Sequence, residues 1–142
     1  MTSVLVECVA EGITQLTLNR PERLNAMDAD LVASLRGALD TIADDASCRV
    51  VVLTGAGRGF CAGLDLQDGA TPPGGEGLGR PQAGMRVQQS IAALVPRLRS
   101  LPQPVIAAVN GAASGGGLAL ALGCDATNEH CRSYLLTPVE AP

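Results

Sequence analysis

Apolar and polar residues alternate from Val4 to Val9 and again from Ile13 to Leu18, with Glu11-Gly12 between the two runs. A period of two interrupted by a glycine turn predicts an antiparallel hairpin. At Asp28 the period changes: Leu31, Val32, Leu35, Leu39 and Ile42 fall on one face of a helix, and Asp28 stands where a carboxylate caps its start. Arg49 to Leu53 is rich in valine and reads as a buried strand. Residues 67–84 hold nine glycines and prolines among eighteen positions, so a flap without regular structure is expected there. Val87, Ile91, Leu94, Val95 and Leu98 restore helical spacing, Val105 to Val109 predicts a further strand, and Leu118 to Leu122 a last helix. The order β-β-α-β-flap-α-β-α predicts an α/β domain with crossover connections.

Two glycine-rich stretches interrupt this pattern where chemistry is expected. PVIAAVNGAASGGGLALAL, from Pro104 to Leu122, reads as a strand, a tight turn and a helix start. Gly115, Gly116 and Gly117 allow positive φ and close approach to a ligand, and the first N–H groups of the following helix lack intrahelical acceptors. Such a start suits a phosphate, a carboxylate or an oxyanion formed only during reaction. GAGRGFCAGLDL, from Gly55 to Leu66, is a second strand leading into a loop that exposes its backbone.

Taken with NRPERLNAM (Asn19 to Met27), the stretches GRGFCAGLDL (Gly57 to Leu66) and PVIAAVNGAASGGGLALALGCD (Pro104 to Asp125) resemble, in order and spacing, the crotonase superfamily of enoyl-CoA hydratases and isomerases. The resemblance covers about the first 125 residues. It implies a crotonase-like ββα spiral core, incomplete at the C-terminus, and an acyl-CoA thioester substrate in fatty-acyl-CoA metabolism. No tightly bound cofactor or metal is implied, coenzyme A being part of the substrate. The backbone N–H groups of Leu64 and Gly116 would hold the thioester carbonyl and stabilise the enolate formed when the α-proton moves. Fixed donors of this kind each lower a barrier by roughly 3 kcal/mol. Leu24, Ala26, Ala62, Asp65 and Leu66 match positions that wrap coenzyme A, and Arg20 and Arg23 are either cations for its phosphates or plain solvated surface. The family is trimeric or hexameric, through helices that this chain is expected to lack.

The departures bear on activity. Where the resemblance implies the first of two catalytic glutamates, this chain has Ala119. Loss of a positioned acid or base costs roughly two to four orders of magnitude, so hydration is expected to be impaired and double-bond isomerisation less so. The second glutamate falls near Glu140, in TPVEAP. ATNEHCRSYLLTPVEAP, residues 126–142, contains the only histidine and tyrosine and lacks the apolar strand that the resemblance predicts there. The expected division is a core over 1–125 and a divergent or truncated tail over 126–142, through a frameshift, an early stop or divergence. His130 as a catalytic base is disfavoured. The alternative to catalysis is an inactive acyl-CoA-binding or interaction protein.

Composition narrows the remaining choices. A chain of 142 residues with 46% hydrophobic residues supplies one core, and a net charge of −4 with ten arginines and no lysine provides no basic stripe for nucleic acid. Cys8, Cys48, Cys61, Cys124 and Cys131 show neither metal-ligand spacing nor a leader sequence before them, the pattern of reduced thiols in a cytoplasmic protein. Leu101 to Cys124 is uncharged over 24 residues, but its five glycines, Pro104, Gln103 and Asn110 oppose membrane insertion. Gly55-x-Gly57 imitates the start of a dinucleotide fingerprint, with Phe60 where the third glycine belongs. AASGG around Ser114 resembles a degenerate nucleophile elbow, without later strands to supply an acid and a histidine.

Overall fold

The computed structural model describes residues 2–67 and 76–128. Strands β1 (Val4–Ala10) and β2 (Ile13–Leu18) form the expected hairpin, turning at Gly12 with φ +76. Helix α1 (Ala29–Ala43) follows, the Asp28 carboxylate accepting from the Leu31 amide at 2.8 Å as a cap does. Next come β3 (Val50–Gly55), β4 (Gly59–Cys61), α2 (Arg80–Ala92), α3 (Leu94–Arg99), β5 (Val105–Ala108), β6 (Ala112–Ala113), α4 (Gly116–Gly123) and β7 (Ala126–Thr127).

Five strands form one sheet in the order β1-β2-β3-β5-β7, antiparallel only between β1 and β2, and β4 pairs with β6 in a small parallel sheet beside it. The register puts Leu16 opposite Leu53 and Val51 opposite Val105, so their side chains share a face. That face packs with the apolar stripe of α1 (Leu31, Leu35, Leu39) and with Leu94 and Leu98 of α3, all nearly devoid of exposed surface. Asp125 fixes the last strand to β5: its amide donates to the Val105 carbonyl and its carboxylate accepts from the Val105 amide, both at 2.8 Å.

Four expectations change. The alternation in β1 predicts a half-buried strand, yet beyond Val4, at the edge of the sheet, it is exposed on both faces; Val6 and Val9 are more than half exposed. Helical spacing from Val87 to Leu98 predicts one helix, and the structure has two. Pro96 offers no N–H and its ring would clash with the Ala92 carbonyl four residues back, so α2 ends at Ala92 and α3 begins at Leu94. Within the expected flap, residues 80–84 are already helical, Pro81 suiting the first turn of α2, while residues 68–75 lie outside those described. Finally, a strand does follow Asp125: two residues, Ala126 and Thr127, pair with Ile106 and Ala107 even though neither is bulky. The uncharged run from Leu101 to Cys124 divides between β5, β6 and α4, and among the described residues no helix is long and apolar enough to cross a membrane.

Candidate functional site

The pairing of β4 with β6 brings the two glycine-rich loops side by side. Ser114 stitches them: its amide donates to the Cys61 carbonyl at 3.1 Å and its hydroxyl to the Ala62 carbonyl at 2.9 Å. The approach is close at Gly111 and Gly117, where a Cβ would stand 2.0 Å from the Arg58 and 2.2 Å from the Cys61 carbonyl oxygen, and at Gly63, where it would stand 2.9 Å from the Ser114 oxygen and 3.4 Å from the Gly116 nitrogen. Of the three consecutive glycines only Gly115 uses a positive φ, +52; Gly116 and Gly117 are helical and are required for space instead. Leu64 and Gly116 therefore lie in adjacent backbone segments. Among the described residues neither of their amides has a hydrogen-bond acceptor, whereas the neighbouring amides of Asp65 and Gly117 do.

The third motif completes the surround. Leu24 and Asn25 are consecutive left-handed residues, φ +51 and +55, a conformation that costs each about 1–2 kcal/mol. The fully buried Asn25 side chain holds it, accepting from the Arg20 amide at 2.8 Å and donating to the Ala56 and Gly59 carbonyls at 2.9 Å. This turn sends Met27 alongside the second loop: its amide donates to the Gly63 carbonyl and its carbonyl accepts from the Asp65 amide at 2.9 Å, the pattern of a parallel bridge centred on Leu64. The Ala62 amide donates to the Leu24 carbonyl at 3.0 Å.

Charge locks the same joint. Asp65 is buried, and its carboxylate receives Arg23 at 2.7 Å and Arg20 at 3.1 Å; Arg20 also reaches Asp28 at 3.0 Å and the Ala26 carbonyl. The hydrogen bond from Arg23 is the main reason the carboxyl is held down to about 2; burial opposes this, while the Gln67 amide, the bond from Arg20 and the charge of Arg23 assist it. Reciprocally, Asp65 raises the Arg23 guanidinium. The expectation that Arg20 and Arg23 are either free for phosphates or merely solvated is corrected: both are engaged in tying residues 20–28 to residues 65–67.

A cavity of about 600 Å³ opens between α1, α2 and this joint, lined by Leu64, Asp65 and Leu66 among others. Met27 and Ile91 line it too, and they face Gly116, where a Cβ would stand 2.9 Å from an Ile91 methyl and 3.2 Å from the Met27 methyl. Leu24, Ala26 and Ala62 flank the joint without lining the cavity, and exposed Ala119 on α4 lies outside it. Both carboxylates of the lining, Asp28 and Asp65, are in ion pairs. Burial pushes the Cys61 thiol up to about 11 and that of Cys124 to about 12, leaving both protonated at neutral pH. Among the described residues no cluster of side chains has the makings of a metal site. His130 and Glu140 lie outside the described residues.

The competing motifs resolve in the same geometry. After Gly57 the chain enters β4, so no helix start stands where a dinucleotide's pyrophosphate would need one. The Ser114 hydroxyl is spent on the Ala62 carbonyl. Asn25, Met27 and Ile91 carry much of the arrangement and were not singled out by the sequence; the asparagine between two ligand-site candidates in RLNAM was the available signal for the first, since asparagine tolerates left-handed backbone.

Comparison with known proteins agrees with the motifs. The enoyl-CoA hydratase/isomerase family model matches residues 9–130. The chain is 49% identical over 131 residues to a probable enoyl-CoA hydratase, EchA12, of Mycobacterium leprae, covering 92% of this chain and 45% of that protein. It is 47% identical over 125 residues to the 1,2-epoxyphenylacetyl-CoA isomerase of Escherichia coli, covering 88% and 47%. A crystal structure of a probable enoyl-CoA hydratase/isomerase from Mycobacterium abscessus superposes with a TM-score of 0.80 at 45% identity, over 88% of this chain and 46% of that one. The chain thus spans about half the length of the curated relatives it matches. Sequence motifs, loop geometry and crotonase-type fold coincide over the same residues, and the chain belongs to the enoyl-CoA hydratase/isomerase family.

Proposed function

We propose that this chain binds an acyl-CoA thioester with its carbonyl oxygen between the amides of Leu64 and Gly116, so that negative charge developing on that oxygen is met by two fixed donors. The observation that carries the reading is the pair of amides without acceptors among the described residues, on loops pressed together by Gly63 and Gly117; Leu64 lines the cavity, and Gly116 does not line it but packs against Met27 and Ile91, which do. Donors already oriented need no reorganisation as the α-proton leaves and the enolate forms. Main-chain groups at Leu24, Ala26, Ala62, Asp65 and Leu66 would accompany the coenzyme A portion, with the Arg20–Asp65–Arg23 cluster holding that path in shape.

Ala119 in place of a carboxylate argues against efficient hydration. Double-bond isomerisation, which needs one carboxylate, asks less of that position. A second reading, binding without turnover, is favoured by one observation: both carboxylates lining the cavity are committed to arginines, so neither is free to act as the base. Titration with butyryl-CoA and with free butyrate, together with deuterium exchange at the α-carbon followed by NMR, separates these readings. Thioester-selective binding with exchange supports the enzyme; selective binding without exchange supports the binding protein; absence of thioester preference overturns both. Under the enzyme reading, Ala119→Glu raises hydration of crotonyl-CoA only when a second carboxylate is also supplied, and a large gain from the single change would show that another group already serves.

A further inference from the structure

The Leu64 and Gly116 amides are aimed by different means. The Gly115 carbonyl accepts from the Ala119 amide at 3.0 Å, so the Gly116 N–H, on the opposite side of the same trans peptide, points out of the start of α4. The Leu64 N–H has no helix to direct it. The Gly63 carbonyl of its peptide accepts from the Met27 amide at 2.6 Å, and a trans peptide sets C=O and N–H on opposite sides, so the Leu64 N–H points away from Met27. Beyond Leu64 the Asp65 amide donates to the Met27 carbonyl at 2.9 Å. The direction of this donor is thus set by how residues 26–28 sit against residues 63–65.

Arg20 holds both of those segments. On one it bonds the buried Asp65 carboxylate through Nη1 and Nη2, each at 3.1 Å. On the other it takes the residues before and after Met27, donating through Nη1 to the Ala26 carbonyl and pairing through Nη2 with Asp28 at 3.0 Å. Arg23 grips the same carboxylate at 2.7 Å, but its side chain turns otherwise to Gln67, so it holds one segment only. We infer that Arg20 is a positioning residue: one guanidinium, bonded to both sides of the Met27–Leu64 bridge, sets the direction in which the Leu64 N–H meets the ligand. The inference rests on the reading that Leu64 and Gly116 hold the thioester carbonyl. A guanidinium suits the task because its donors leave one plane in fixed directions, whereas an ammonium is a point charge on a flexible stem. Charge and span are separable here. The bond from Arg23 does more than that from Arg20 to hold the Asp65 carboxyl down, yet it is Arg20 that reaches across the bridge.

The test reads the carbonyl itself. Butyryl-CoA labelled isotopically at its carbonyl carbon is bound to the full chain, and its thioester stretch is compared with that of the free ester by isotope-edited infrared spectroscopy. Donors aimed at the oxygen lower the frequency. Arg20→Lys keeps the charge and loses the fork, so it should forfeit roughly half of the shift, one of two donors being turned aside, and free coenzyme A should lose less affinity than butyryl-CoA. Arg23→Gln, which loosens one segment, should forfeit less of the shift. A full shift in Arg20→Lys overturns the inference, as does an equal loss in Arg23→Gln, which would make charge at Asp65 the cause. Free coenzyme A weakened as much as butyryl-CoA by Arg20→Lys also overturns it, assigning the arginine to the phosphates. Where Arg20→Lys does not fold, Asp28→Asn takes its place: asparagine still caps α1 but gives up the charge that pairs with Arg20. A smaller loss in the same direction is then expected, and an unchanged shift overturns the inference. A parent chain that fails to bind butyryl-CoA, or binds it without a shift, removes the thioester reading itself, and the inference with it.

Discussion

Replacing Asp65 by asparagine keeps the shape of the side chain and removes its charge from between Arg20 and Arg23. The cost follows from the proton equilibrium. The carboxyl stands at about 2 against an ordinary 3.8, and at about 1.4 kcal/mol per pH unit that difference is worth about 2 kcal/mol. Because Asp65 itself is nearly inaccessible, little of this is lost to solvent on its side, although Arg23 is about a third exposed, its side chain retaining 32% of its surface. A carboxyl whose pKa is lowered by folding contributes its full stability above the unfolded value and loses it as pH falls through the folded one. Asp65→Asn should therefore lower the unfolding free energy by about 2 kcal/mol at pH 7, and the gap between variant and parent should close as pH falls from about 4 to about 2. Urea denaturation followed by circular dichroism across that range measures it. Equal stability of the two proteins at pH 7, or a gap that stays constant down to pH 2, would refute the assignment of the ion-pair cluster as the clamp on this joint.

Further substitutions separate scaffold from site. Gly117→Ala drives a methyl into the Cys61 carbonyl and should cost more than about 2 kcal/mol, seen as a lowered urea midpoint, because backbone has nowhere to retreat. Gly116→Val meets the end of Met27, which can turn aside, and the Ile91 Cγ2 methyl, which sits on a stiff β-branched side chain, so some loss of stability is expected while the circular dichroism spectrum keeps its shape and thioester affinity falls; unaltered affinity would remove Gly116 from the site. Asn25→Ala strands the Arg20 amide and the Ala56 and Gly59 carbonyls and withdraws support from the left-handed pair, for a loss of about 2–4 kcal/mol measured by thermal unfolding. Native Cys61 and Cys124 should resist a disulfide-exchange reagent at pH 8 while exposed Cys8 reacts.

Helix α1 with its Asp28 cap was legible because it buries one face, which writes a period into the sequence, β3 from its run of valines, and the hairpin from an alternation around Gly12 that β1 keeps although it is exposed on both faces. Short elements escaped for the opposite reason. Gly59–Cys61, Ala112–Ala113 and Ala126–Thr127 are too brief to show a period, and each is a strand only because a partner lies beside it. The break at Ala93 was readable from Pro96 but masked by the helical spacing on either side. At the site, the three consecutive glycines were read as room for a ligand; what Gly63 and Gly117 make room for is backbone, the Ser114 and Cys61 carbonyls. The roles of Arg20 and Arg23 were not legible, since nothing local shows that a carboxylate more than forty residues later closes on them. Ile91 was visible as a core residue, and only the packing of α2 against the start of α4 turns its methyl toward Gly116.

The stitching of β4 to β6 also sets an order in time. During synthesis the segment bearing Leu64 emerges well before that bearing Gly116; residues 24–27 can pair with it early, but its Cys61 and Ala62 carbonyls wait for Ser114. A pocket formed by segments so far apart in the chain exists only in the finished fold, since non-local pairing comes late. Any ligand gripping both amides thus binds the folded chain and not its precursors. At a hundredfold excess over its dissociation constant it would add about 2.7 kcal/mol to the folded state by mass action. The supply of thioester would then govern how long each molecule stays folded, as well as how often the pocket is filled.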